Sequence, residues 1–231
     1  MANTRKVHPA WIAVAITWMT LVAAAGYRSA PSVLIVPLED AFGWSRSQIS
    51  LAISVNILLY GLTAPFAAAL MERFTVRKVV MCALTAVSLG AFSTIFMSAP
   101  WQLVLLWGVV VGVGTGSMAL VFAATIASRW FLQRRGLVTG ALTAAAATGQ
   151  LIFLPALSSI AMNHGWKSVS ITIAVAAAAV IPLIWWGLNE DPVAIGAKPY
   201  GAPEDWQAPE RLQGNAARTA IDALKNGAKI C

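Results

Sequence analysis

Arg28 stands inside the first long apolar stretch of the chain, with no charge between Pro9 and Tyr27 and none again until Glu39. A charged side chain near the centre of a membrane helix costs about 2.5–3.5 kcal/mol on insertion scales. A lysine or arginine near a helix end escapes by reaching to the headgroups, but Arg28 lies too deep for that route. Such a residue faces a bundle interior or a water-filled path, and an anionic substrate is a partner that justifies its position. The alternative is a structural arginine that caps backbone carbonyls near Pro31 or reaches outward. Ser29 follows it directly. Asn56, Tyr60 and Gln150 are further polar groups within apolar segments. Each can bond a substrate or water, and each can equally tie one membrane helix to another.

Other chemistry has no support. No nucleophile stands near a base in the pattern, and His8 and His164 belong to no ligand cluster. Cys82 and Cys231 suggest neither a disulfide framework nor a metal site. An enzyme is not expected, nor is a cofactor.

The elements that position Arg28 are membrane helices. The chain is 58% hydrophobic and 11% charged, where a soluble domain carries about 25% charge. A helix needs about 20 apolar residues to cross a bilayer. Six segments reach that length, at about 10–38, 47–71, 77–98, 101–128, 136–161 and 166–188. Barrel strands would alternate in polarity and be about half as long. The first segment is too long for a signal-peptide core, and further spans follow it. The fold class expected is all-α and membrane-embedded.

The net charge of +7 invites a nucleic-acid partner, but the basic residues sit in short loops. Arg5, Lys6, Arg73, Arg77, Lys78, Arg129, Arg134 and Arg135 fall on one side; Arg46 and Lys167 fall on the other. That bias predicts a cytoplasmic N-terminus (1–9) and a cytoplasmic C-terminal segment (189–231). Trp11, Trp130, Trp185 and Trp186 then lie near the inner boundary, and Trp44, Trp101 and Trp166 near the outer one.

Spans 1, 2, 4 and 5 carry the polar residues, so they are expected to face an interior, with spans 3 and 6 facing lipid more. Gly108, Gly112 and Gly116 recur at four-residue spacing, a surface for close helix packing. Read as a dinucleotide fingerprint, GVGTGS fails because no strand precedes it. Pro65 and Pro155 are expected to kink spans 2 and 5. After Leu188 the chain turns rich in proline, glycine and charge and reads as an extended loop, with a short helix expected near Ala216–Leu224.

The loop AALMERFTVRKV resembles the signature G-x-L-x-D-R-x-G-x-R-[RK] of the major facilitator superfamily. Leu70, Arg73, Arg77 and Lys78 match it; Ala68 and Thr75 replace its glycines, and Glu72 its aspartate. PLEDAFGWSRSQIS, RWFLQRRGLVTG, GQLIFLP and DPVAIGAKPYGA resemble bacterial monocarboxylate-porter and oxalate/formate-antiporter members. The resemblance covers nearly all of residues 10–203. It implies a gating role for Glu72, Arg73, Arg77 and Lys78, and a substrate carboxylate on Arg28, at about the place of a basic first-helix residue in the monocarboxylate branch. It also implies a bacterial inner membrane.

Transporters of this superfamily have two six-helix halves, each a pair of inverted three-helix repeats, with the substrate between them near the midplane. Residues 10–188 read as one such half, lacking a C-terminal partner, and one half is not expected to transport alone. Membrane lipid and a small carboxylate are the other expected partners. Three readings stand: half of an organic-anion transporter, a transporter for another substrate class such as drugs or sugars, and a six-span scaffold.

Overall fold

The structure, a computed structural model, describes residues 8–118, 120–189 and 191–206. Arg5, Lys6, Cys231 and the short helix expected near Ala216–Leu224 lie outside the described residues.

Five helices are long and apolar enough to cross a membrane: α1 (Pro9–Phe42), α2 (Arg46–Arg73), α3 (Val76–Phe96, its last turn a 3-10 turn), α4 (Pro100–Trp130) and α5 (Arg135–Gly187). Local chemistry sets their ends. Pro9 opens α1, where its missing N–H is no loss. The His8 ring nitrogen accepts from the Ala10 amide at 3.2 Å. Gly43 closes α1 at φ 66°, its N–H donating to the Glu39 carbonyl at 2.9 Å. Ser45 and Gln48 then form a reciprocal cap on α2.

The segments expected at 136–161 and 166–188 run together as α5, which is 53 residues long. No stretch of irregular residues divides the two expected segments. The division is conformational instead. Gly165 has φ 77° and ψ 173°, a backbone state open essentially to glycine alone. The chain reverses there. A methyl on Gly149 would strike Val22, and one on Gly187 would strike Ile16. Those two α1 residues are less than two turns apart, whereas a straight helix would carry Gly187 about 57 Å beyond Gly149. Only a fold-back at Gly165 brings both onto α1. Trp166, at the bend, meets Phe42 at the far end of α1, with ring centroids 5.3 Å apart.

The second arm of α5 also packs on α3. Ser88 donates to the Ala174 carbonyl at 2.9 Å, and the Thr94 and Ser170 hydroxyls lie 3.0 Å apart. α2 is the least buried of the five helices, less so than α3, and leaves Leu58, Leu62 and Phe66 exposed along its length. Polarity does not track burial here: of the polar-bearing helices, α1 and α4 are the most buried of the five and α2 the least.

The segment after α5 does not run free. It makes a 3-10 turn at Val193–Ile195 and returns to the end of the bundle where α1 begins. The Tyr200 amide donates to the Trp130 carbonyl at 2.8 Å, and the Leu132 amide donates to the Tyr200 carbonyl at 3.0 Å. The Tyr200 ring meets those of His8, Trp11 and Phe131 at 5.5–5.7 Å. Arg129 lies 3.8 Å from Asp191. The expected loop thus becomes a strap, because its aromatic and backbone groups find partners on the helix ends.

Candidate functional site

α4 positions the site through its contact with α2. Residues Val104–Val111 adopt π-helical geometry, a local widening frequent at functional positions. A methyl on Gly108 would lie 3.1 Å from the Ala52 carbonyl oxygen. On Gly112 it would lie 3.1 Å from the Asn56 Cα, and on Gly116 2.9 Å from the Tyr60 Cα. The four-residue glycine spacing is therefore matched by a four-residue spacing on α2, and the two backbones nearly touch.

Asn56 sits within this contact. Its side-chain amide donates to the Trp107 carbonyl at 2.8 Å, and the residue is buried. It lines neither cavity beside Arg28. The structure does not bring Asn56 to the site. It spends its donor on a carbonyl of the π segment, as a polar clasp between helices.

Tyr60, one turn further along α2, does reach Arg28. The Arg28 Nη1 donates to the Tyr60 hydroxyl at 3.3 Å, and the guanidinium carbon lies 4.4 Å from the centre of the tyrosine ring. The ring face attracts the cation. Arg28 makes no hydrogen bond to a carbonyl near Pro31 among the described residues, so the capping alternative has no geometric support there. No carboxylate among the described residues pairs with it either; the ion pairs there are Arg46–Glu39 and Arg129–Asp191.

Two cavities meet at Arg28. One, about 620 Å³, lies between α1 and the first arm of α5 and takes in Ser29, Ser32 and Gln150. The other, about 200 Å³, lies among α1, α2, α4 and α5 and takes in Leu21, Ala24, Tyr60, Thr115, Met118 and Thr143. The structure thus gathers Arg28, Ser29, Tyr60 and Gln150. The Ser29 hydroxyl is buried and donates to the Ala25 carbonyl at 3.0 Å, leaving it an acceptor only. Ser32, Ala24 and Leu21 were not singled out in the sequence. They stand four residues after Arg28 and four and seven before it, so helical spacing puts them on its face.

The other candidate group is the turn between α2 and α3. Glu72, Arg73 and Lys78 are exposed and Arg77 is half-buried. The Arg77 guanidinium lies 4.7 Å from the Trp185 ring, and that of Arg73 lies 5.3 Å from Phe74. Glu72 forms no ion pair among the described residues. The loop's arginines rest on aromatic rings, and no charge network joins them among the described residues.

Thr75 explains the glycine of the loop signature. Its φ is 146°, a region that strains any side chain bearing a Cβ. Its hydroxyl accepts from the Lys78 amide at 3.4 Å as the cap of α3. Glycine at a cap position loses only a few tenths of a kcal/mol, while relief of such backbone strain returns about 1–3 kcal/mol. Thr75→Gly is therefore expected to raise thermal stability in detergent. A lower melting temperature would show that the hydroxyl cap outweighs the strain.

Comparison with known proteins agrees with this architecture. The model of the Major Facilitator Superfamily matches residues 16–224. An uncharacterized MFS-type transporter, YcxA of Bacillus subtilis (strain 168), is 28% identical over 200 residues, which are 85% of this chain and 48% of that protein. Human Monocarboxylate transporter 7 is 26% identical over 200 residues, 84% of this chain and 37% of that one. Among solved structures, the proton:xylose symporter XylE bound to 6-bromo-6-deoxy-D-glucose superposes with a TM-score of 0.68 at 15% identity, covering 95% of this chain and 54% of that one. The chain spans about half the length, or less, of these relatives. On its helices, its sequence and its matched fold, the chain belongs to the major facilitator superfamily.

Proposed function

We propose that the chain is the N-terminal-type half of a secondary transporter that moves small organic anions, monocarboxylate-like, by alternating access. One observation carries this reading. Arg28 sits in a membrane helix beside two cavities with no carboxylate of the described residues to balance it. A cation without a counter-charge inside a membrane span is costly, and a substrate carboxylate supplies the missing charge. The likeness to monocarboxylate transporters in sequence supports the same class.

In this reading the two arms of α5 count as separate spans and make six, arranged as two inverted three-helix repeats. The exposed faces of α2 and the first arm of α5 receive a second six-helix half, and the turn with Glu72, Arg73, Arg77 and Lys78 gates the inner end. The excess of basic residues at that end supports a cytoplasmic side for both ends of the bundle.

The test is equilibrium binding to the purified chain in lipid nanodiscs, with acetate and pentanoate set against neutral sugars. Saturable carboxylate binding that sugars do not compete is expected. Sugar binding without carboxylate binding overturns the anion assignment, and a chain that binds neither is better read as a scaffold. In proteoliposomes the chain alone is expected to give no saturable uptake. Saturable uptake would overturn the half-transporter reading.

A further inference from the structure

α4 changes its winding where it passes α2. Val104–Val111 is π-helical and Gly112–Ser117 is α-helical. A π turn closes from residue i to i+5, one residue more than the closure of an α turn. A π segment between α-helical neighbours therefore holds one residue more than an α-helix joining the same two faces. Eight residues make a long run of a geometry found mostly as single turns. No proline stands in α4 after Pro100 to force the change. The buried Trp107 indole N–H has no hydrogen-bond partner among the described residues, so that side chain does not anchor the segment.

The anchor comes from α2. The Trp107 carbonyl stands where the bonding returns from i+5 to i+4. The Gly112 amide donates to the Val109 carbonyl, and the Asn56 side-chain amide donates to the Trp107 carbonyl at 2.8 Å. A methyl on Gly112 would lie 3.3 Å from the Asn56 Nδ2, so glycine at 112 keeps the path to the carbonyl open. Beyond the segment, Gly116 rests on the Tyr60 backbone, and Thr115 and Met118 line the smaller cavity beside Arg28. We infer that Asn56 is a positioning residue: its bond to the Trp107 carbonyl holds the extra residue of α4 in the π segment, and that register seats Thr115 and Met118 beside Arg28. Without the bond the segment relaxes to α-helix, and its extra residue turns everything after it by about 100° about the helix axis. Gly116 then leaves Tyr60, and Thr115 and Met118 leave the cavity wall. The register stands on the helix contacts alone; its effect on ligand rests on the anion-site reading above.

The experiment is a mutant cycle on the purified chain in detergent, read by melting temperature. Its arms are Asn56→Leu, deletion of Leu105 inside the π segment, and both together. Asn56→Leu is expected to lower the melting temperature by about 5 °C. Deleting Leu105 removes the extra residue and keeps the faces on either side, so that chain is expected to fold with a loss of at most about 5 °C. On the deletion background Asn56→Leu is expected to cost less than about 2 °C, because no π register is left to hold. Deletion of Val113, beyond the segment, is the control and is expected to abolish folding. Equal losses from Asn56→Leu on both backgrounds would overturn the inference, as would a Leu105 deletion no better tolerated than the control. If Asn56→Leu alone does not fold, folding of the double variant supports the register role and its failure overturns it. In nanodiscs, pentanoate affinity is expected to fall about tenfold in Asn56→Leu and to return to within about twofold in the double variant. A loss that the deletion does not restore would overturn the seating of the cavity wall. A chain that binds no carboxylate in any form removes the anion-site reading and leaves the melting cycle to decide the register.

Discussion

Arg28→Ala is expected to weaken carboxylate binding by about 100-fold, with little change in the melting temperature of the chain. A hydrogen bond to a charged group contributes about 1.5–3 kcal/mol, and a guanidinium offers a carboxylate two of them. A loss of about 2.7 kcal/mol is about 100-fold in affinity. Arg28→Lys keeps the charge but loses the planar fork, so an intermediate loss of about tenfold is expected. The two variants separate binding from scaffolding. Among the described residues Arg28 has one hydrogen bond, to the Tyr60 hydroxyl at 3.3 Å. That single contact makes a small contribution to the fold, and removing a costly membrane charge offsets its loss. A variant that melts far lower and still binds pentanoate would reverse the assignment and make Arg28 structural.

The legibility of this site in the sequence followed the physics of each signal. Arg28 was visible because a lone charge in an apolar run is rare and expensive. Tyr60 and Gln150 were visible as polar groups in apolar spans, but so was Asn56, which the structure places on the Trp107 carbonyl instead. Composition cannot distinguish a side chain aimed at a cavity from one aimed at a neighbouring helix. The glycine repeat of α4 could be read because its period matches a helix face. The bend at Gly165 could be read only as a gap between apolar runs, since a left-handed glycine leaves no other trace. The strap at Tyr200 was hidden for another reason: proline, glycine and charge look alike in a free loop and in one held by backbone bonds. Ala24 and Ala146, which line the smaller cavity, were silent because their contribution is the space they leave.

Gly149 was silent in the same way, and it is where a small change is expected to do most damage to the fold. A methyl there would lie 2.7 Å from the Ala25 Cβ and 3.0 Å from the Val22 Cα. Both belong to α1, and the Val22 atom is backbone, so no rotamer change makes room. The helices must separate. Overpacking of this kind costs about 1–3 kcal/mol for modest insertions, and Gly149→Leu is expected to reach or exceed the upper end. Gly140 provides the control on the same helix, because a methyl there meets nothing within 4 Å. Gly140→Ala is expected to leave thermal stability in detergent unchanged or slightly raised, since alanine favours helix over glycine by about 1 kcal/mol. The damage at Gly149 should also reach the site. Ala25 is one turn before Arg28, and Gln150 is the residue after Gly149, so parting α1 from α5 pulls apart the two walls of the larger cavity. A partly folded Gly149→Ala protein is therefore expected to lose carboxylate affinity as well as stability. If Gly149→Ala melts like Gly140→Ala and binds pentanoate normally, the close approach of α1 and α5 is not what holds Arg28 in place.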